Sequence, residues 1–248
     1  MQMSFCSEAE TYLLGCPSGF IYEYNVARNQ LKKLKKYQEQ VLAVAFLNKN
    51  FYAFSLFGSN KLYIGNFNND NVIRFGSNKS DAVSLKSLAK RNLLFSGLMD
   101  GSLMIHRTNK LPSLKIFGVI QAHKAGQMVL TVQNININGK EFMVTASSDL
   151  TAKIWCLVKG RMRLLRVIRT EEICYSLVYL ENFKMIAITE KSKYIKFFSV
   201  SSGKLEKMFC VNEDATHCLF WMKEKNMIGV TSYHKDLIDF VQVKKQEK

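Results

Sequence analysis

MVTASSDLTAKIW (143–155) places an apolar run, a turn of small polar residues and a second run ending in tryptophan side by side in one short segment. Ser147, Ser148 and Asp149 have short polar side chains that suit a tight reversal of the backbone. On either side the same pattern recurs: YLLGCPSGFIYEY (12–24), YAFSLFGSNKLYIG (52–65), LLFSGLMDGSLMIH (93–106), MIAITEKSKYIKFF (185–198) and MIGVTSYHKDLIDFV (227–241). Their last residues, Tyr24, Gly65, His106, Trp155, Phe198 and Val241, recur at intervals of roughly 40 to 50 residues, the spacing of a one-sheet repeat.

Each copy alternates with period two before its last residue. Leu103 and Ile105 stand against Ser102 and Met104, and Ile195 and Phe197 against Tyr194 and Lys196, which is the signature of strands. Another apolar run precedes most copies (41–47, 129–132, 173–180, 218–221), and no stretch sustains the three-and-four spacing of an amphipathic helix. One such unit cannot bury both faces of its sheet, whereas units placed radially bury each other. The expected fold is therefore all-β: a β-propeller of about six four-stranded antiparallel blades forming one domain over 1–248, with seven blades or an arc completed by a partner as the alternative. The innermost strand of the first blade is expected at 2–5. The residues after 243 are too few and too charged for an outer strand, and a ring closed by direct contact of first and last blades is expected over an arc with an exposed apolar edge.

The fourth unit resembles the WD-repeat family, in which an early Gly-His is paired with a late Trp-Asp. The resemblance rests on Ala122-His123 followed by Ser147-Ser148-Asp149 and Trp155, with Ala122 replacing the glycine and Cys156 the final aspartate. Asp100-Gly101-Ser102 with His106 is the next best match; Phe198-Ser199 and Tyr24-Asn25 follow, and Gly65-Asn66 and Val241-Gln242 depart furthest. The resemblance implies a structural hydrogen-bond relay of His123, Asp149 and Trp155, and a disc whose turns hold peptides or other proteins. By alignment those turns carry Pro17, Gly58, Met99, Ser148, Lys191 and His234, with Phe57 and Tyr233 adjacent, so Phe57, Met99, Ser148, Lys191, Tyr233 and His234 are candidate partner contacts.

Bulk composition agrees with a folded domain: 48% apolar, 22% charged, only two prolines and no apolar run long enough to cross a bilayer. Six cysteines without a Cys-x-x-Cys pair suggest reduced core thiols, no metal, and an intracellular setting in cytoplasm or nucleus. A net charge of +15 favours polyanions or acidic protein surfaces. Its peak is Lys159, Arg161, Arg163, Arg166 and Arg169, on the strand expected at the outer edge of the fourth blade, where charges also discourage edge pairing. The longer His106–Trp155 interval puts extra residues between 107 and 124 and in a turn at 134–140, read as loops that form a docking side with the arginine strand.

No Gly-rich phosphate loop, His-Glu-x-x-His or Gly-x-Ser-x-Gly occurs. The expected function is a non-catalytic scaffold in a multi-protein assembly, without cofactor. The alternative is a subunit of an RNA-protein particle contacting RNA through its basic surface. A propeller enzyme is the remote third reading, with His217 the exception among mostly aliphatic inner strands.

Overall fold

The computed structural model describes residues 2–6, 10–75, 79–158, 161–211, 216–232 and 238–244. Among them the only helical pieces are two three-residue 3-10 turns, Ala89–Arg91 and Lys223–Lys225. The chain divides into two compact units, Met1–Val132 and Gln133–Lys248.

The first unit contains three four-stranded sheets, each an antiparallel meander in chain order. They are β1 (Gln2–Cys6), β2 (Thr11–Gly15), β3 (Phe20–Asn25) and β4 (Gln30–Lys36); β5 (Val41–Phe46), β6 (Phe51–Leu56), β7 (Leu62–Asn66) and β8 (Val72–Phe75); and β9 (Ala82–Leu88), β10 (Leu93–Leu98), β11 (Ser102–Lys110) and β12 (Ser113–Gln121). The fourth sheet starts at the boundary with β13 (Val129–Ile137) and continues in the second unit with β14 (Lys140–Ser147), β15 (Thr151–Val158) and β16 (Arg161–Arg169). There follow β17 (Cys174–Leu180), β18 (Met185–Glu190), β19 (Tyr194–Ser199) and β20 (Leu205–Cys210), then β21 (Thr216–Met222), β22 (Met227–Ser232) and β23 (Ile238–Gln242). The sixth sheet has three strands among the described residues.

Within each unit the sheets stack face on face. Leu13 and Ile21 of the first sheet share a cluster with Val44 and Phe54 of the second, and Ala45, Leu62 and Ile64 on the second sheet's other face meet Leu94 and Met104 of the third. In the second unit, Val144, Ile154 and Ile168 pack on Leu177, Ile186 and Ile188, while Ala187, Ile195 and Phe197 pack on Leu219, Ile228 and Val230. Burying a leucine or isoleucine side chain stabilises by about 1.5–3 kcal/mol, so these clusters supply the main cohesion of each unit. A strand covered on both faces has no solvent side, which is why β6, β10 and β18 are apolar with little alternation.

The alternation in the third strands marks strands correctly but does not mark a solvent face. Ser102, Met104 and Lys196, on the polar side of that pattern, are all buried, because a second sheet covers the face that a two-layer sandwich would leave wet. Hydroxyls tie adjacent sheets together: Ser4 Oγ accepts from the Phe46 amide at 3.2 Å, Ser55 Oγ donates to the Ala82 carbonyl at 2.6 Å, and Ser176 Oγ accepts from the Leu219 amide at 3.2 Å.

The extra residues of the long interval are not loops. β11, β12 and β13 each run nine residues and β14 eight, so the additional chain extends two hairpins. The second hairpin closes at Asn138-Gly139, with φ of +51° and +76°. Those left-handed angles at both central residues give the turn whose twist matches that of paired strands. Gly65 has its own reason for lacking a side chain: a Cβ there would lie 2.1 Å from Cζ of Tyr52, its cross-strand partner. The ring that closes the third strand in the fourth sheet is thus supplied in the second sheet by the neighbouring strand. Of the cysteines, Cys174 is buried, Cys6, Cys16, Cys156 and Cys218 are half-buried and Cys210 is exposed, so Cys210 is the one that departs from the description as core thiols.

Candidate functional site

The turns joining second to third strands are the candidate partner surface, and each is held by its own hydrogen bonds. In the second sheet, residues 57–61 reverse the chain through Gly58 and Asn60, at φ of +72° and +51°. The Asp81 carboxylate, arriving from the chain that enters the third sheet, accepts from the Gly58 amide at 2.5 Å and the Asn60 amide at 2.6 Å. The Asp81 carbonyl accepts from the Met99 amide at 2.9 Å, so one residue fastens two neighbouring turns. Phe57, 55% exposed, stands on the first of them, and Met99 is half-buried on the second.

In the fourth sheet Asp149 Oδ1 accepts from the Thr151 amide at 3.0 Å and from the Thr151 hydroxyl at 2.6 Å. Leu150 is thereby held at φ +63° with its side chain 39% exposed. A leucine in the left-handed region costs of order 1 kcal/mol or more, and it persists only where the surroundings fix it. Ser148 beside it is half-buried, and Lys191, on the corresponding turn of the fifth sheet, is exposed. Tyr233, His234 and Lys159 lie outside the described residues, as does the side chain of His217.

Trp155 Nε1 donates to Thr145 Oγ1 at 2.9 Å across the β14–β15 ladder, a buried bond that orients the indole. His123 is buried, and its amide donates to the Gly101 carbonyl at 3.0 Å while its carbonyl accepts from Gln121 Nε2 at 3.0 Å. His123 belongs to the first compact unit and Asp149 and Trp155 to the second. His106 occupies the Trp155 position of the third sheet: it is buried, its Nδ1 has no hydrogen-bond partner among the described residues, and burial pulls its pKa down to about 4.

The sequence reading missed a charge cluster at the start of the fifth sheet. Lys196 Nζ donates to Glu190 Oε2 at 3.0 Å and to Glu171 Oε2 at 2.6 Å; Lys196 and Glu190 are buried, and Glu171 is exposed. Burial opposes the lysine's charge, but the hydrogen bonds from the two carboxylates outweigh it and raise its pKa. Glu190 Oε1 has no hydrogen-bond partner among the described residues. Nearby, burial pushes the Cys174 thiol up to about 12, which makes it inert as a nucleophile at neutral pH. The ion pairs consume the acids and the amine internally, and no group of three or more potential metal ligands occurs among the described residues.

Arg161, Arg163 and Arg169 are exposed on β16, the edge strand of its sheet. Arg166 is half-buried, and its guanidinium donates to the Ser202 carbonyl at 2.8 Å, so it fastens the neighbouring sheet's turn. The strand is bulged between its pairings with Ile154 and Trp155, and Leu164 and Leu165 are about half exposed among the arginines.

No family model and no curated protein sequence matches the chain. Solved structures do. The β-propeller domain of Cps50 (Swd1) from Myceliophteria thermophila superposes with a TM-score of 0.82 at 10% identity, covering 98% of this chain and 82% of that one. A chain of a Mitotic Checkpoint Complex structure superposes with a TM-score of 0.77 at 14% identity, covering 98% of this chain and 75% of that one. At such identities the likeness speaks of fold alone, and the fold is a β-propeller whose six blades are the six sheets of the repeat.

Proposed function

We propose that the chain is a non-catalytic scaffold, a WD-repeat-like subunit that holds other proteins in an assembly. The observation that carries this reading is the pair of exposed apolar side chains, Phe57 and Leu150, each set on a turn fixed by a carboxylate. Rigid apolar anchors lose little freedom on binding and make effective contact points. The superposition on a chain solved within a Mitotic Checkpoint Complex supports the same reading, since that chain was solved as part of a complex.

On β16 the interleaving of Arg161 and Arg163 with Leu164 and Leu165 suits an acidic protein surface better than RNA, whose backbone has no use for leucines. His123, Asp149 and Trp155 are read as structural residues that keep the turns in place. The test is purification of the tagged chain from its native cells with quantification of stoichiometric co-purifying proteins. Phe57→Ala and Leu150→Asn, each folded by circular dichroism, are expected to lose at least one such partner; a partner set unchanged in the double variant would refute the role of these turns.

A further inference from the structure

In the second unit, the strand ends opposite the β18–β19 turn enclose a groove of about 700 Å³, within the size range of ligand-binding clefts. Ile137, Phe183, Met185 and Val200 give it apolar lining. Lys184, Lys207 and Lys244 line it as well, with Glu206 the one acidic residue among the described lining groups. Its walls are built in advance. The Val200 amide donates to the Lys184 carbonyl at 3.2 Å, the Gly203 amide to the Ser199 carbonyl at 2.8 Å, and Asn182 Nδ2 to Asn226 Oδ1 at 2.7 Å. A second tie across the same turns is the ion pair of Lys223 with Glu181 at 2.7 Å.

We propose that this groove binds an acidic peptide segment of a partner protein, which inserts one or two apolar side chains between the lysines. Charge complementarity selects the occupant: three ammonium groups against one carboxylate attract an acidic chain, while the apolar lining selects a segment that also carries leucine or an aromatic. A second copy fits poorly, because the chain carries 35 lysines and arginines against 20 acids and its surfaces repel one another. The inference adds a second surface, and a class of partner, to the scaffold reading; it involves neither Phe57 nor Leu150, so either can fail alone.

The probe is a fluorescein-labelled peptide with a central Leu-Phe pair flanked by Asp and Glu, titrated into the full chain. Companion peptides replace Leu-Phe by Ser-Ser, or the acids by Lys. The expected result is saturable binding by the first peptide only, weakening as salt rises, with a shift of the Met185 methyl resonance. Lys184→Glu with Lys207→Glu, both on exposed positions, is expected to weaken it about tenfold or more, whereas Lys32→Glu with Lys33→Glu, exposed on β4 and outside the groove, leaves it intact. Absence of saturation, equal binding by the Lys184/Lys207 variant, or loss in the Lys32/Lys33 variant overturns the proposal. Dimerisation abolished by the Lys184/Lys207 change, without peptide binding, would assign the groove to a second copy instead.

Discussion

His106 shows what replacing an indole by an imidazole entails. Its folded-state pKa, pulled down by burial to about 4, lies below the ordinary value of 6.5, so the unfolded chain binds the proton first as pH falls. Stability from this site is complete above pH 6.5 and declines through the window down to about 4. A loss of about 2 kcal/mol between pH 7 and pH 5 is expected from this group, at 1.36 kcal/mol per pKa unit. Urea unfolding at the two pH values should show that slope, and His106→Phe should flatten it. The Lys196–Glu190 pair gives a second expectation. Lys196→Met leaves a buried carboxylate uncompensated and should cost about 3–5 kcal/mol, while Lys196→Met with Glu190→Leu should restore much of the loss. If the double variant is as unstable as the single, the pair is not the reason for the cost. Neither His106 nor Lys196 announced itself in the sequence. His106 sat at an aligned position whose usual occupant is aromatic, and Lys196 fell on the polar side of an alternation that held no information about the second covering sheet.

At the level of turns and strands, the decisive contacts run between one sheet and the next. Asp81 takes two backbone amides from the β6–β7 turn, and charge-assisted hydrogen bonds of this kind contribute about 1.5–3 kcal/mol each. Asp81→Ala is expected to destabilise by about 2–4 kcal/mol and to speed amide exchange selectively at Gly58 and Asn60. Exchange that remains slow at those two amides would contradict this account of the turn. The local sequence of the turn, Phe57-Gly58-Ser59-Asn60, carries residue types that permit the left-handed angles found at Gly58 and Asn60. It could not show that the carboxylate fixing them comes from residue 81. The extended hairpins teach the same lesson: their extra residues have ordinary strand propensity, and only pairing of β11 with β12 and of β13 with β14 distinguishes a long ladder from an inserted loop.

For the molecule as a whole, the net charge of +15 predicts salt-sensitive retention of any polyanion. A labelled single-stranded RNA should bind weakly at 50 mM salt and lose most of that affinity by about 200 mM, while the protein partners proposed for the Phe57 and Leu150 turns should remain. RNA affinity that persists at high salt would favour the RNA-particle reading over the scaffold. The repeated segment, its spacing and its lack of helical periodicity were sufficient to specify radially packed antiparallel sheets, about six in number with seven left open, because strand formation and the need to bury both sheet faces are written into local residue order. The first strand at Gln2–Cys6 and the basic edge strand at Arg161–Arg169 were legible for the same reason. Which polar groups would be buried, which turns would carry exposed apolar tips, and where a groove would open depended on neighbours distant along the chain. Those were decided only when sheet packed on sheet, since a side chain's solvent exposure is a property of the surface that comes to cover it.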